Sequence, residues 1–468
     1  MVPPVPSSPP LVQGDYTYVT NADQATIVGF NKDFKGVLAI IDTLGGCRVT
    51  GISSTAFANC TGLTRVTIPA SITNIPEVTR SFAACANLTA IDVDPASTNY
   101  SSADGVLCDK GQTTLLFCPV GKTGSYAIPA SVTRIEPQAF SECKGLTAFT
   151  VDKGSEKFGS ADGVLLDKES TTLVLCPTGK AGSYVIPAGV TQISDQAFLG
   201  CAGLTCVTIP DSVTQIGRSA FYGCAGLTAI KVDAANKTYS GQDGALLNKD
   251  RTALILYPAA KAGSYTIPDG VTGIDPWTFS ACANLTGITI PASISNIGYS
   301  DFSGCTGLTA INVDAANKTY SSLKGVLFNK DQTTLIRCPK GKTGSYVIPP
   351  GVSTLGSSAF SGCNGLTHVT IPDSVTRIGG SVFQNCDKLP ASIRAIGSIG
   401  LVGVPGGVPG GVPGVAPVPG NSPGTLPSPG APPVVFPRQP RSRVVPPTAG
   451  APAVVPSSQS RPIHRGGR

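Results

Sequence analysis

Apolar side chains recur in one fixed order from near residue 50 to near residue 390. A representative copy runs Leu204, Val207, Ile209-Pro210, Val213, Ile216-Gly217, Ala220-Phe221, Cys224 and Leu227, with small or polar residues between. The alternation of Val207 and Ile209 against Cys206 and Thr208 predicts a strand whose first pair points inward and whose second pair points out. Pro210 ends that strand because it has no N–H to give a ladder. Val213 and Ile216 predict a second short inward segment, and Gly217 permits a sharp bend after it. Phe221 and Cys224 then fill the far side of the coil. The Phe/Cys/Leu trio, spaced by threes, returns at Phe57/Cys60/Leu63, Phe82/Cys85/Leu88, Phe140/Cys143/Leu146, Phe198/Cys201/Leu204, Phe221/Cys224/Leu227, Phe279/Cys282/Leu285, Phe302/Cys305/Leu308, Phe360/Cys363/Leu366 and Phe383/Cys386/Leu389. A single copy cannot bury its own apolar face. Stacked at a strand spacing of about 4.8 Å, each inward residue meets its counterpart in the next coil. The pattern therefore predicts a β-rich solenoid with little helix.

The spacing carries a second level of order. Cys201 to Cys224, Cys282 to Cys305 and Cys363 to Cys386 are 23 residues apart, whereas Cys143 to Cys201, Cys224 to Cys282 and Cys305 to Cys363 are 58 apart. The extra 35 residues form a recurring insert, clearest from Val313 to Pro349. Within it, Val326-Leu327-Phe328 and Thr334-Leu335-Ile336 flank the turn Asn329-Lys330-Asp331-Gln332, which predicts a hairpin. The insert closes on Gly344-Ser345-Tyr346-Val347-Ile348-Pro349, where Tyr346 takes the inward place that Val207 holds in the short repeat. The insert is thus expected to be an additional coil.

Domain boundaries follow from the ends of this pattern. Residues 1–13 are a Pro/Ser-rich lead expected to be disordered, without the basic start and apolar run of a secretory signal. Residues 14–46 carry Tyr16, Tyr18, Ile27, Val28, Phe30 and Val37 to Ile41, a set of strands expected to cap the first coil. Residues 47–397 are the array. From 398 to 468 the chain turns to Val, Pro, Gly, Ser and Arg, a composition that cannot offset its ordering entropy and is expected to be disordered. Nowhere is an apolar run long enough to span a membrane.

Charge and cysteine content alter this picture little. The net charge is +6, but after Lys388 there is no acid and there are seven arginines, leaving residues 1–388 at −1. Fifteen cysteines would suggest disulfides or a metal, yet nine share one repeat position and are expected to pack as small hydrophobes. Cys118, Cys176 and Cys338 share an insert position where the remaining copy has Tyr257, and tyrosine replaces neither a zinc ligand nor a disulfide half. Cys206, on an outward position, is the one thiol expected to be accessible.

Spelled out as Ile-Pro-x-Ser-Val-Thr-x-Ile-Gly-x-x-Ala-Phe-x-x-Cys-x-x-Leu-Thr, with inserts bearing Asp-Gly-Val-Leu and Gly-Ser-Tyr-x-Ile-Pro, the array resembles the BspA-like leucine-rich repeats of bacteria and protists. The resemblance spans roughly residues 14–397. It implies a curved right-handed solenoid acting as a secreted or cell-surface binding protein, often in adhesion, with a protein or glycan ligand on another cell or matrix. Exported members carry a signal peptide and often an anchor. Neither is read here, and Leu426-Pro427-Ser428-Pro429-Gly430 lacks the Thr-Gly of a sortase-type motif.

Catalytic chemistry is poorly provided for. Two histidines, His368 and His464, leave no triad and no histidine metal site in the array. Asp104, Asp162 and Asp243 recur at one insert position, but Lys324 fills the fourth copy, so they read as turn residues rather than calcium ligands. No cofactor is expected. Asn59, Asn87, Asn236, Asn284 and Asn317 open Asn-x-Ser/Thr sequons. The candidate binding face is the outward set Arg65, Thr67, Asp92, Thr150, Cys206, Thr208, Lys231, Thr289, Asn312, His368 and Thr370, with Ala90, Ala148, Ala229, Gly287 and Ala310 beside them. It holds one Arg and no aromatic, which suits broad, individually weak contacts. Arg438, Arg441, Arg443, Arg461, Arg465 and Arg468 are candidate polyanion contacts in the tail, without specific nucleic-acid recognition. The function expected is a non-enzymatic adhesion or interaction scaffold. A Thr-array ice or surface binder and a polysaccharide-acting solenoid enzyme are the rival readings.

Overall fold

The computed structural model describes residues 9–298 and 301–396. Each coil begins with the predicted strand: Leu204–Ile209 buries Leu204, Val207 and Ile209 while Thr205, Cys206 and Thr208 are partly or fully exposed. Leu204 and Val207 are three apart, yet both face inward because the register slips by one residue between them, where Gly182 pairs Leu204 and Ser183 pairs Cys206. These strands pair in parallel in blocks: Gly36–Ala39 with Leu63–Ile68 and Ala90–Val93, and Gly182–Val185 with Leu204–Ile209 and Ala229–Val232. A further block of three is Gly263–Thr266, Leu285–Ile290 and Ala310–Val313. Pairs Thr123–Ile128/Gly145–Val151 and Gly344–Val347/Leu366–Thr370 make the other two blocks. The predicted second segment is a two-residue strand, as in Gln192–Ile193 paired in parallel with Gln215–Ile216.

Between these two sets of strands lies a core of stacked like residues. Tyr184 pairs in register with Val207, and Val207 with Ile230. The phenylalanines of paired short coils stack face to face, Phe57 on Phe82 at 5.2 Å and Phe198 on Phe221 at 4.9 Å. The ladder cysteines are buried free thiols. Their position is more specific than apolar filling alone requires: Cys85 donates its S–H to the Phe57 carbonyl at 3.1 Å, and Cys224 and Cys305 do the same to Phe198 and Phe279. Each Cys thus satisfies a turn carbonyl of the preceding coil.

The insert is an additional coil, as expected, with a larger hairpin element built onto it. Its closing strand does join the ladder as a coil, and the predicted hairpin is present, Val326–Asn329 antiparallel to Thr334–Arg337. A third strand precedes them, Tyr320–Leu323, which the sequence pattern did not predict. The turn between the first two hairpin strands abuts the last ladder strand of each of the first four blocks. Ile91, Phe149, Ile230 and Ile311 donate their N–H to Gly105, Gly163, Gly244 and Gly325 at 2.8–2.9 Å. The hairpin tip therefore interrupts the ladder. Gly105 sits at φ 74°, and a Cβ added to it would lie only 2.7 Å from that of Ala90, so the position admits no side chain.

Ahead of the array, Leu11–Gln13, Tyr16–Asn21 and Gln24–Phe30 form an antiparallel set that continues in parallel into Cys47–Ile52. The strand Leu11–Gln13 lies within the stretch that composition assigns to the irregular lead. Helix among the described residues is confined to Val78–Ser81 and Ala391–Ile396, the latter packing Ile393 and Ile396 on the last core segment. No helix among them is long and apolar enough to cross a membrane. Residues 398–468, with the expectations of disorder and of polyanion contacts there, lie outside the described residues.

Candidate functional site

Outward positions on the ladder strands place the candidate residues in two adjacent rows. In the row nearer the strand end, register puts Thr67 beside Asp92, Thr208 beside Lys231 and Thr289 beside Asn312. Thr150 and Thr370 follow Ala127 and Val347 in their own blocks. In the other row Arg65 neighbours Ala90, Cys206 lies between Ser183 and Ala229, and His368 follows Ser345. All eleven candidates are partly or fully exposed. Arg65 forks onto Asp92, with Nη2 donating to Oδ1 at 2.9 Å and Nε to Oδ2. The threonine row is broken at Asp92, Lys231 and Asn312.

Two groups of residues change role once the hairpins are in place. Ala90 is buried, and Ala90, Ala148, Ala229 and Ala310 each face the glycine of a hairpin tip, so they seat the inserts instead of contributing to the face. Conversely, the closing strand of each insert belongs to the face. Val185 and Val347, 65% and 64% exposed, lie one strand before Thr208 and Thr370. Their signal was present in the sequence, since Val185 and Val347 each follow the inward tyrosine of the Gly-Ser-Tyr element.

Asp104, Asp162, Asp243 and Lys324 all occupy left-handed backbone, at φ 46–51°, in the hairpin tips. A lysine missed by sequence reasoning holds each tip. Lys122 Nζ donates to the Asp104 carbonyl at 2.6 Å and lies 2.9 Å from its carboxylate, while sitting over the Tyr126 ring at 5.6 Å. Lys180 and Lys342 repeat the arrangement at Asp162 and Lys324, over Tyr184 and Tyr346. An ammonium already neutralises the carboxylate a calcium ion would need, and the recurring Lys-x-Gly-Ser-Tyr spacing was its signal.

The expectation that Cys206 alone is accessible needs correction. Cys206 is half-buried where an accessible thiol was expected, and Cys47 is half-buried too, on a strand of the capping sheet where the repeat pattern does not reach. Burial pushes the thiols of Cys85 and Cys108 up to about 12 and about 11. Of the sequons, Asn59, Asn87 and Asn284 are exposed. Asn236 and Asn317 are fully buried. Asn236 donates to the Pro210 and Val213 carbonyls at 2.7 and 3.0 Å and accepts from the N–H groups of Thr238 and Tyr239.

Of two described concavities, the larger, of about 290 Å³, opens where Glu77 and Val78 lengthen one coil. It is lined by Ile75, Glu77, Tyr100, Leu116, Glu136 and Pro137. Both of its acids are engaged, Glu77 with Arg80 at 2.8 Å and Glu136 with Arg134 at 2.7 Å. None of the eleven candidate face residues lines either concavity.

A parallel ladder of 23-residue coils with stacked Phe and Cys defines a leucine-rich repeat solenoid. The chain belongs to the family of the BspA type leucine rich repeat region, which matches it in six copies over residues 34–103, 116–161, 177–245 and 338–398. Among solved structures it is similar to a leucine rich cell surface protein from Faecalibacterium prausnitzii, at 25% identity over 82% of this chain and 94% of that one, with a TM-score of 0.36. It is also similar to the pneumococcal vaccine antigen PcpA (19% identity, 79% and 87% covered, TM-score 0.33). A leucine-rich repeat protein from Eubacterium ventriosum gives 19%, 80% and 93%, and 0.32. No curated protein matches the chain.

Proposed function

We propose that this chain is a non-enzymatic, cell-surface or secreted protein that adheres to a protein or glycan through the outward positions of its ladder. The supporting observation is the exposure of Arg65, Thr67, Thr150, Thr208, Lys231, Thr289, Asn312, His368 and Thr370 at outward positions of the parallel ladder strands. Contacts spread over such rows add up while each stays weak. Beads bearing the full chain should adhere to surfaces coated with collagen, fibronectin or mucin. Placing arginine at Thr208, Thr289 and Thr370 together should abolish that adherence without altering the circular dichroism. Adherence unchanged in the triple variant would move the contact off the ladder face.

The tail arginines Arg438, Arg441, Arg443, Arg461, Arg465 and Arg468 supply a second, sequence-independent contact to polyanions in this reading, because no acid accompanies them. The full chain should stay on heparin resin at low salt and elute as salt rises. A chain ending at Gly397 should flow through, and equal retention of both would leave the tail as a spacer.

A further inference from the structure

Four departures from the repeat gather at one place on the ridge of turns, away from the ladder face. Trp277, the single tryptophan of the chain, stands where other copies carry Gln196, Ser219 or Ser358. Tyr222 stands where Ala83, Ser141 or Ser361 are found, and Tyr257 where the other inserts have Cys118, Cys176 and Cys338. Ala259 replaces the larger Val120, Thr178 and Lys340. Three aromatics have been gained and one side chain trimmed, in coils that touch.

The geometry shows what these changes create. Trp277 and Tyr222 meet edge to face at 6.4 Å and 86°, and remain 38% and 41% exposed. Trp277 holds φ 69°, the left-handed turn conformation that Gln138, Gln196, Ser219 and Ser358 share at the same repeat position, so the ring is carried on the repeat's own turn. The two rings border a small cleft of about 40 Å³ whose walls include Tyr257, Ala259 and Ser280. The Tyr257 hydroxyl is buried and has no hydrogen-bond partner among the described residues. No carboxylate, ammonium or guanidinium lines the cleft.

We propose that this cleft binds a neutral glycan, taking one pyranose ring against Trp277 and Tyr222. The occupant must present an apolar face and uncharged hydroxyls on the same small unit, and a pyranose ring does so. Its C–H face covers the exposed rings, and a hydroxyl reaches Ser280 at the cleft wall. A charged side chain would meet no counter-charge in this lining, and an aliphatic one would leave Ser280 without a polar partner.

Because Trp277 is the only tryptophan, its fluorescence reads this site alone. Laminarihexaose, cellohexaose, maltohexaose and chitohexaose are to be titrated into the full chain, alongside its retention on immobilised mucin before and after periodate oxidation of the sugar diols. At least one saccharide should give a saturable emission shift, and mucin retention should fall after periodate. By calorimetry, Trp277→Ser and Tyr222→Ser should each weaken saccharide binding by about tenfold or more. Both substitutions restore residues that other copies carry, so the melting temperature should not fall. No saturable response to any saccharide together with periodate-insensitive retention would overturn the proposal, and Trp277-dependent retention surviving periodate would assign the cleft to a protein partner instead.

Discussion

Asn236 shows how much a single side chain carries in a solenoid. Fully buried, it closes four hydrogen bonds between its own turn and the turn one coil before it, and Asn317 repeats the arrangement with Pro291 and Ile294. Asn236→Ala would leave the Val213 carbonyl and the Thr238 and Tyr239 N–H groups without the bonds Asn236 gives them, and the Pro210 carbonyl with only the Val213 N–H at 3.4 Å, a loss of about 2–4 kcal/mol. Urea denaturation should register it as a lowered midpoint, whereas Asn284→Ala, on the exposed surface, should leave the midpoint unchanged. The sequence marks all five asparagines alike as sequons; only the stacking of coils separates the buried pair from the exposed three. The thiols divide in the same way. A brief maleimide pulse read by mass mapping should label Cys206 and Cys47 before Cys201 and Cys224. Equal protection of all four would show that the in/out register assigned to the strand Leu204–Ile209 is wrong.

At the scale of the element, the hairpins supply a comparison internal to the chain. In the first two inserts the second hairpin turn is tied by an aspartate: Asp109 accepts from the N–H groups of Thr113 and Thr114 at 2.7 and 2.9 Å, and Asp167 from those of Thr171 and Thr172. Partial burial raises the pKa of each carboxyl, but the hydrogen bonds from the threonines outweigh it and the net shift is downward. A depressed carboxyl contributes stability above its unfolded pKa and loses it as pH falls through the folded value. In the last two inserts Asn248 and Asn329 make the same turn without a charge. Hydrogen exchange, corrected for its intrinsic pH dependence, should show the Asp109 and Asp167 hairpins loosening as pH drops below about 4. The Asn248 and Asn329 hairpins should not follow. The paired hairpin strands were legible because the apolar runs Val326-Leu327-Phe328 and Leu335-Ile336 flank the polar turn from Asn329 to Gln332. The first strand was not, since Tyr320-Ser321-Ser322 has no apolar alternation; its tyrosine works through a hydroxyl that accepts the Ile297 N–H of an earlier coil at 3.1 Å.

For the whole molecule, the ladder was legible because one spelling recurs and every copy must meet its neighbour. The Phe stacks, the inward tyrosines and the outward rows of Thr208 and Thr289 all follow from that repetition. What escaped depends on contacts between different parts of the spelling. Ala229 reads as an outward face residue until a hairpin tip from 15 residues later settles on it. Trp277 and Tyr222 lie 55 residues apart with an inserted coil between them, so no local pattern joins them. The candidate face was thus half visible, in the short coils, while the insert strands carrying Val185 and Val347 and the ridge site were hidden.

The hairpin tip that closes the first four ladder blocks also bears on how such a chain can change length. Cys143, Cys224, Cys305 and Cys386 are each 81 residues apart, two 23-residue coils and one 35-residue insert, and the ladder blocks before the last end against a tip instead of an open strand edge. Recombination between copies would therefore add or remove whole modules without exposing an unpaired edge. Excising residues 225–305 joins Cys224 to Thr306 in the same spelling that follows Cys305 now. The shortened chain should remain folded, monomeric and soluble, with its strand content reduced in proportion, as circular dichroism and size-exclusion chromatography would report. Aggregation of that chain would mean that the modules are not interchangeable. Reach, in a protein built this way, is inherited in steps.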